Sequence, residues 1–123
     1  GDKDRYNEAH ALQYEKNLVH LIRTLRAEFN APLAKFVVAT LGQTSKENAE
    51  GNEKLILDAQ LSVAGNTGKY PEFKGNVATV YTHPLSQGGA SNSHYNGNAQ
   101  TYMDVGTAMG EAMVELLTKE TRD

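Results

Sequence analysis

The residues best suited to chemistry are two histidines and a short segment carrying an amide and two hydroxyls. His94 stands in Ser91-Asn92-Ser93-His94-Tyr95, His83 in Thr82-His83-Pro84, and the polar segment is Gly42-Gln43-Thr44-Ser45. A neutral imidazole beside a hydroxyl can act as general base toward a serine or threonine nucleophile when a third group orients the ring. His94 is the catalytic candidate, and Gln43, His83 and Tyr95 are the candidates for binding a polar substrate. Composition alone does not separate His94 from an ordinary loop histidine, and His83 is equally open to a structural or surface role. His10 and His20 fall in a helical segment, with His20 off its apolar stripe and assigned to solvent.

Other chemistries find little support. His83 and His94, eleven residues apart in a glycine-rich stretch, lack the helix or hairpin spacing of a zinc site, and no metal or other cofactor is expected. The sequence holds no P-loop, no GxGxxG after a strand and no GxSxG elbow. It has no cysteine, which excludes disulfides, thiolate ligands and cysteine nucleophiles. A net charge of −3 without a basic block, and aromatics not interleaved with Lys or Arg, argue against a nucleic-acid partner. The apolar runs fall short of a bilayer span, so no membrane partner is expected, and no signal segment opens the chain. Gly1 reads as a scar of tag removal, which would hide any export signal and leaves the compartment open.

These candidates must be positioned by a small set of elements. With 123 residues, 39% hydrophobic and 22% charged, the chain fits one soluble globular domain. Tyr14, Leu18, Leu21, Ile22, Leu25 and Phe29 recur at helical spacing and predict a helix over 8–29, stopped by Asn30 and Pro32; Glu15, Lys16, Arg23, Arg26 and Glu28 fall off the stripe. Residues 36–41, rich in β-branched types without strict alternation, predict a strand covered on both faces. A second helix is expected over 52–64, with Asn52 as N-cap, Gly65 as stop, and Leu55, Ile56, Ala59 and Val63 buried. Tyr70 and Phe73 should pin the turn-rich segment that follows. Residues 77–81 predict a second strand, and 82–97 a long loop of the kind that often carries function. The last helix, over 98–119, should bury Tyr102, Val105, Met109, Ala112, Met113 and Leu116, with Gly106 and Gly110 permitting close approach of a neighbour.

The expected fold class is therefore α/β, in the order α-β-α-β-α with a parallel crossover. Gln43 and His83 follow the two strands, and His94 precedes the last helix, so all three belong to the carboxyl rim where open parallel sheets bind ligands. The positive end of the last helix favours the neutral imidazole that a base requires. Two strands are few for a covered sheet. The chain is expected to be cut from a larger α/β domain or, as the second choice, to be completed by pairing of two copies.

Tyr14-Glu15-Lys16-Asn17-Leu18, Leu21-Ile22-Arg23, Leu57-Asp58-Ala59-Gln60-Leu61 and His94-Tyr95-Asn96-Gly97-Asn98-Ala99 with Tyr102 resemble, in order and spacing, the sialate O-acetylesterase-like branch of the SGNH hydrolases over residues 4–117. The resemblance implies a flavodoxin-like three-layer α/β/α fold, an acetylated carbohydrate as substrate, and a secreted or periplasmic setting. It places the catalytic histidine at His94. It puts Ser91 where the family usually carries an aspartate three residues earlier, and Asp104 does not match that position. The family's serine has no counterpart: Gly42-Gln43-Thr44-Ser45 is similar to its glycine-glutamine-serine segment, but a threonine stands where the serine belongs. The chain is accordingly expected to be part of a carbohydrate esterase, inactive alone for want of a nucleophile. The alternative is a non-catalytic carbohydrate-binding or interaction module derived from one.

Overall fold

The computed structural model describes residues 1–89 and 94–120. The elements run α1 (Glu8–Glu28), β1 (Phe36–Ala39), α2 (Gly51–Ser62), β2 (Val77–Val80) and α3 (Ala99–Glu120), a mixed α/β chain in the expected order. β1 and β2 pair in parallel, from Phe36 opposite Val77 to Ala39 opposite Val80.

The helix ends follow from local chemistry. Asn7 opens α1 by accepting from the His10 N–H at 3.1 Å. Asn30, at φ 49°, closes it in the left-handed conformation, and the Asn30 and Ala31 N–H groups bond the carbonyls of Ala27 and Arg26. Asn98 caps α3, its side-chain oxygen accepting from the Thr101 N–H at 3.0 Å. α2 departs from expectation. It starts at Gly51 behind Glu50, and Asn52 instead donates to the Arg5 carbonyl at 3.1 Å. The helix stops at Ser62, before Gly65. Gly65 is required by packing: a β-carbon there would lie 2.1 Å from the Phe73 carbonyl oxygen.

The core joins Val19 and Ile22 of α1 to Val63, Phe73 and Val77, with Phe36 and Val38 packed against it. Alternation along the strands turns Phe36, Val38, Val77 and Thr79 toward this side, and the Thr79 hydroxyl donates to the Gln60 carbonyl of α2 at 2.6 Å. α3 lies against both strands, whereas α1 and α2 pack mainly on each other, so the sheet is held between the two groups.

The buried stripe of α1 differs from the expected one. Leu21 and Phe29 are exposed, and Arg26 is 7% exposed. Arg26 can be buried because its guanidinium donates to the Ala34 carbonyl at 2.7 and 3.2 Å and to Asn76 Oδ1 at 2.7 Å, beside the rings of Phe36 and Phe73. Its four-residue spacing from Ile22 puts it on the core face, and polar partners there replace water. In α2, Leu55 is partly exposed, while Gln60 is buried with its amide bonded to the Leu41 N–H and the Tyr14 hydroxyl. On α3, Tyr102 is half exposed, and open space surrounds the β-carbon positions of Gly106 and Gly110. Met103, Val114 and Leu117 are exposed along the same stripe, so the close approach expected of these glycines is not made by any described residue.

Candidate active site

The rim is fixed by a clasp between the strand ends. The Thr82 hydroxyl donates to the Thr40 carbonyl at 2.7 Å, and the Thr82 N–H donates to Thr40 Oγ1 at 3.0 Å, with both residues buried. Two pairs of backbone and side-chain groups are thereby satisfied where ladder hydrogen bonds run out. The segments that carry the candidate residues leave from this clasp.

After β1, Gly42 is buried and its carbonyl lies 2.8 Å from His83 Nδ1. A carbonyl can only accept, so Nδ1 carries the proton and Nε2 is left as the acceptor. His83 opens a short 3-10 turn, His83–Leu85, and is half-buried beside the Tyr81 ring. Ser86 follows, its hydroxyl donating to the Thr82 carbonyl at 2.9 Å. Gln43 turns toward the N-terminal segment, where its amide donates to Asp2 Oδ1 at 3.1 Å. Asp2 in turn pairs with Arg5, which bridges to Glu53 of α2 at 2.7 Å.

His94 stands where the last helix is approached, exposed and at φ 47°. A 3-10 turn, Tyr95–Gly97, separates it from Asn98 and α3. The His94 carbonyl accepts from the Tyr102 hydroxyl at 3.4 Å, and its ring has no hydrogen-bond partner among the described residues. The half-buried Tyr95 ring meets Tyr102 edge-on at 5.8 Å. Its hydroxyl reaches back to Gly42, 2.5 Å from where a β-carbon would stand there. Tyr95, Ser86 and His83 thus converge on Gly42, while Gln43 faces away toward Asp2. Ser91, the residue expected at the aspartate position, lies outside the described residues.

Neither hydroxyl after β1 is hydrogen-bonded to an imidazole among the described residues. Ser45 donates to Glu47 Oε2 at 2.7 Å and accepts from the Glu47 N–H at 3.1 Å. That bond holds the Glu47 carboxyl below the usual carboxylate range and gives the serine proton an acceptor other than an imidazole. Thr44 is buried, and its hydroxyl has no hydrogen-bond partner among the described residues, so none of them acts as its base. Among the described residues no group of three His, Asp or Glu side chains gathers as a metal site, and no helix is long and apolar enough to cross a membrane.

The sequence pointed to Gln43, His83, His94 and Tyr95, to Gly42 only as part of the segment ending at Ser45, and not to Ser86. The only signal for Ser86 was a serine in the loop after a strand, a signal shared with many turns.

No curated protein and no solved structure matches the chain. Comparison with protein families matches residues 1–115 to the carbohydrate esterases described as sialic acid-specific acetylesterases. That match takes in β1, β2, the Gly42 and His83 segments and most of α3, and the chain belongs to this carbohydrate esterase family.

Proposed function

We propose that this chain supplies the histidine side of a site that hydrolyses acetyl esters on a carbohydrate, with His94 as general base and the nucleophilic serine supplied from outside these residues. The observation that carries the reading is the position of His94: in a chain of this family, it stands at the approach to the helix that lies against both strands. His83, with Nδ1 satisfied and Nε2 free to accept, and Tyr95 flank the substrate, and Gln43 borders it through its link to Asp2. The two parallel strands and three helices are read as the C-terminal part of a flavodoxin-like α/β/α domain of the SGNH type. A neutral hydroxyl at Ser91 would orient an imidazole without stabilising its charged form, which limits the base it can support.

The test is hydrolysis of 4-nitrophenyl acetate and of an O-acetylated sialic acid, by the chain alone and by the product of its complete reading frame. The chain alone should remain near background. The complete product should be active, and His94→Ala should cost it about 100-fold or more. Activity in the chain alone that vanishes on Ser45→Ala would overturn the reading.

A second reading is favoured by the binding of Ser45 to Glu47 and by the lack of a ring partner for His94 among the described residues. It makes the chain a non-catalytic carbohydrate-binding or interaction module that self-associates through its open sheet edges and exposed α3 face. Light scattering tests it, since a stable monomer at high concentration counts against a self-associating module.

A further inference from the structure

Three successive non-glycine residues, His94, Tyr95 and Asn96, hold φ values of 47°, 56° and 54°. Each left-handed residue carries a steric cost that persists only where the surroundings over-determine it. The surroundings here are glycine notches. A β-carbon on Gly42 would lie 2.2 Å from Ser86 Oγ and 2.5 Å from the Tyr95 hydroxyl, and one on Gly88 would lie 1.9 Å from the Tyr95 carbonyl oxygen. The Asn96 amide also donates to the Gly88 carbonyl.

We infer that Gly42 and Gly88 form a seat for Tyr95 that fixes the left-handed arch and so positions His94, making Gly42, Gly88 and Tyr95 positioning residues for the proposed base. The inference rests on the reading of His94 as base. The seat is hydrogen-bonded on both sides. The Gly42 carbonyl is tied to His83 at 2.8 Å, and the Ser86 hydroxyl to Thr82 at 2.9 Å, so turning Ser86 away from a methyl group costs that hydrogen bond. Farther along the chain, the Gln87 backbone and the Thr101 hydroxyl bond reciprocally at 2.8 and 3.0 Å, which anchors the start of the loop to α3. Even with Ser86 turned away, the Tyr95 hydroxyl at 2.5 Å and its ring carbon at 3.0 Å must give way, and His94 is the covalent neighbour of Tyr95. Gly42 is not among the residues with positive φ, so alanine there acts through contact alone and is a clean probe. On this account Tyr95 acts on the histidine and not chiefly on the sugar.

The experiment follows the His94 ring resonances by NMR in the wild-type chain and in Gly42→Ala. The His94 signals should move while those of His10 and His20 stay in place, and adding Ser86→Ala with Tyr95→Phe should bring them part of the way back. Gly68→Ala, at a remote position with φ 73°, should lower stability without moving His94, which separates positioning from general weakening. In the product of the complete reading frame, Gly42→Ala should lower kcat roughly 10- to 100-fold with little change in KM. Should Gly42→Ala fail to fold, Tyr95→Ala empties the seat without a clash and should move the same signals. His94 resonances unchanged in whichever variant folds would overturn the seat. Resonances that move while His94→Ala leaves hydrolysis intact would uphold the seat and refute His94 as base.

Discussion

The clasp between Thr40 and Thr82 shows how one residue can decide whether a rim exists at all. Thr82 places two donors, its N–H and its hydroxyl, on Thr40 of the partner strand at the point where regular pairing stops, and it is 2% exposed. Thr82→Val keeps the shape and removes the hydroxyl, leaving the buried Thr40 carbonyl without that donor. We expect a loss of about 1–3 kcal/mol, read as a lower urea midpoint at unchanged slope. In the sequence Thr82 reads only as the first residue of the loop after the strand, because its partner lies 42 residues away. The residue type of His94 was legible in the same sequence. Its left-handed backbone was not, since that conformation depends on glycines brought in from two other segments.

At the level of elements, each strand ends one or two residues earlier than its apolar run, and the helices begin and end within a few residues of their caps. The departures lie in which side chain faces inward. Apolar spacing put Leu21 and Phe29 inside and Arg26 outside, because hydropathy treats a guanidinium as a surface group whatever partners await it. Arg26 is held by a linker carbonyl and by Asn76, and neither contact can be read from helical periodicity. Arg26→Met keeps much of the aliphatic volume but strips both acceptors of their donor. It should cost about 2–4 kcal/mol, measured by chemical unfolding. The glycines of α3 predict the opposite sign. Open space at the β-carbon positions of Gly106 and Gly110 means that alanine meets no obstacle. Each substitution should stabilise this chain by about 0.5–1 kcal/mol through helix propensity, read as a higher melting temperature. A decrease would show that a partner occupies that face under the conditions of the measurement.

Across the whole molecule, the segment after α2 is fastened to α1 by charge, and this gives the fold a defined pH window. Burial pushes the Glu15 carboxyl up, but hydrogen bonds from Lys69 and Tyr70, each 2.7 Å long, more than offset it and leave the group below its ordinary value. Glu72 is held low by its hydrogen bonds from Arg23, and Glu47 by the one from Ser45. A carboxylate depressed in the folded state contributes stability above its unfolded value, near pH 4.3, and loses it as pH falls through the folded value. Stability should therefore decline steadily on acidification below about pH 4.5. The alkaline limit has a different source. Burial, and then the bond to Glu15, push the Tyr70 phenol up to about 12. A group raised in the folded state stabilises fully below its unfolded value, about 10 for tyrosine, and that contribution is lost as pH rises from there toward 12. Tyr70→Phe removes both the titration and one donor to Glu15. Thermal unfolding followed across pH should show the wild type losing melting temperature between about pH 10 and 12 more steeply than Tyr70→Phe. The variant should also be less stable at neutral pH and lose less on acidification, because Glu15 is then less depressed. Parallel curves for the two proteins above pH 10 would mean that the Tyr70–Glu15 contact does not hold the segment in solution.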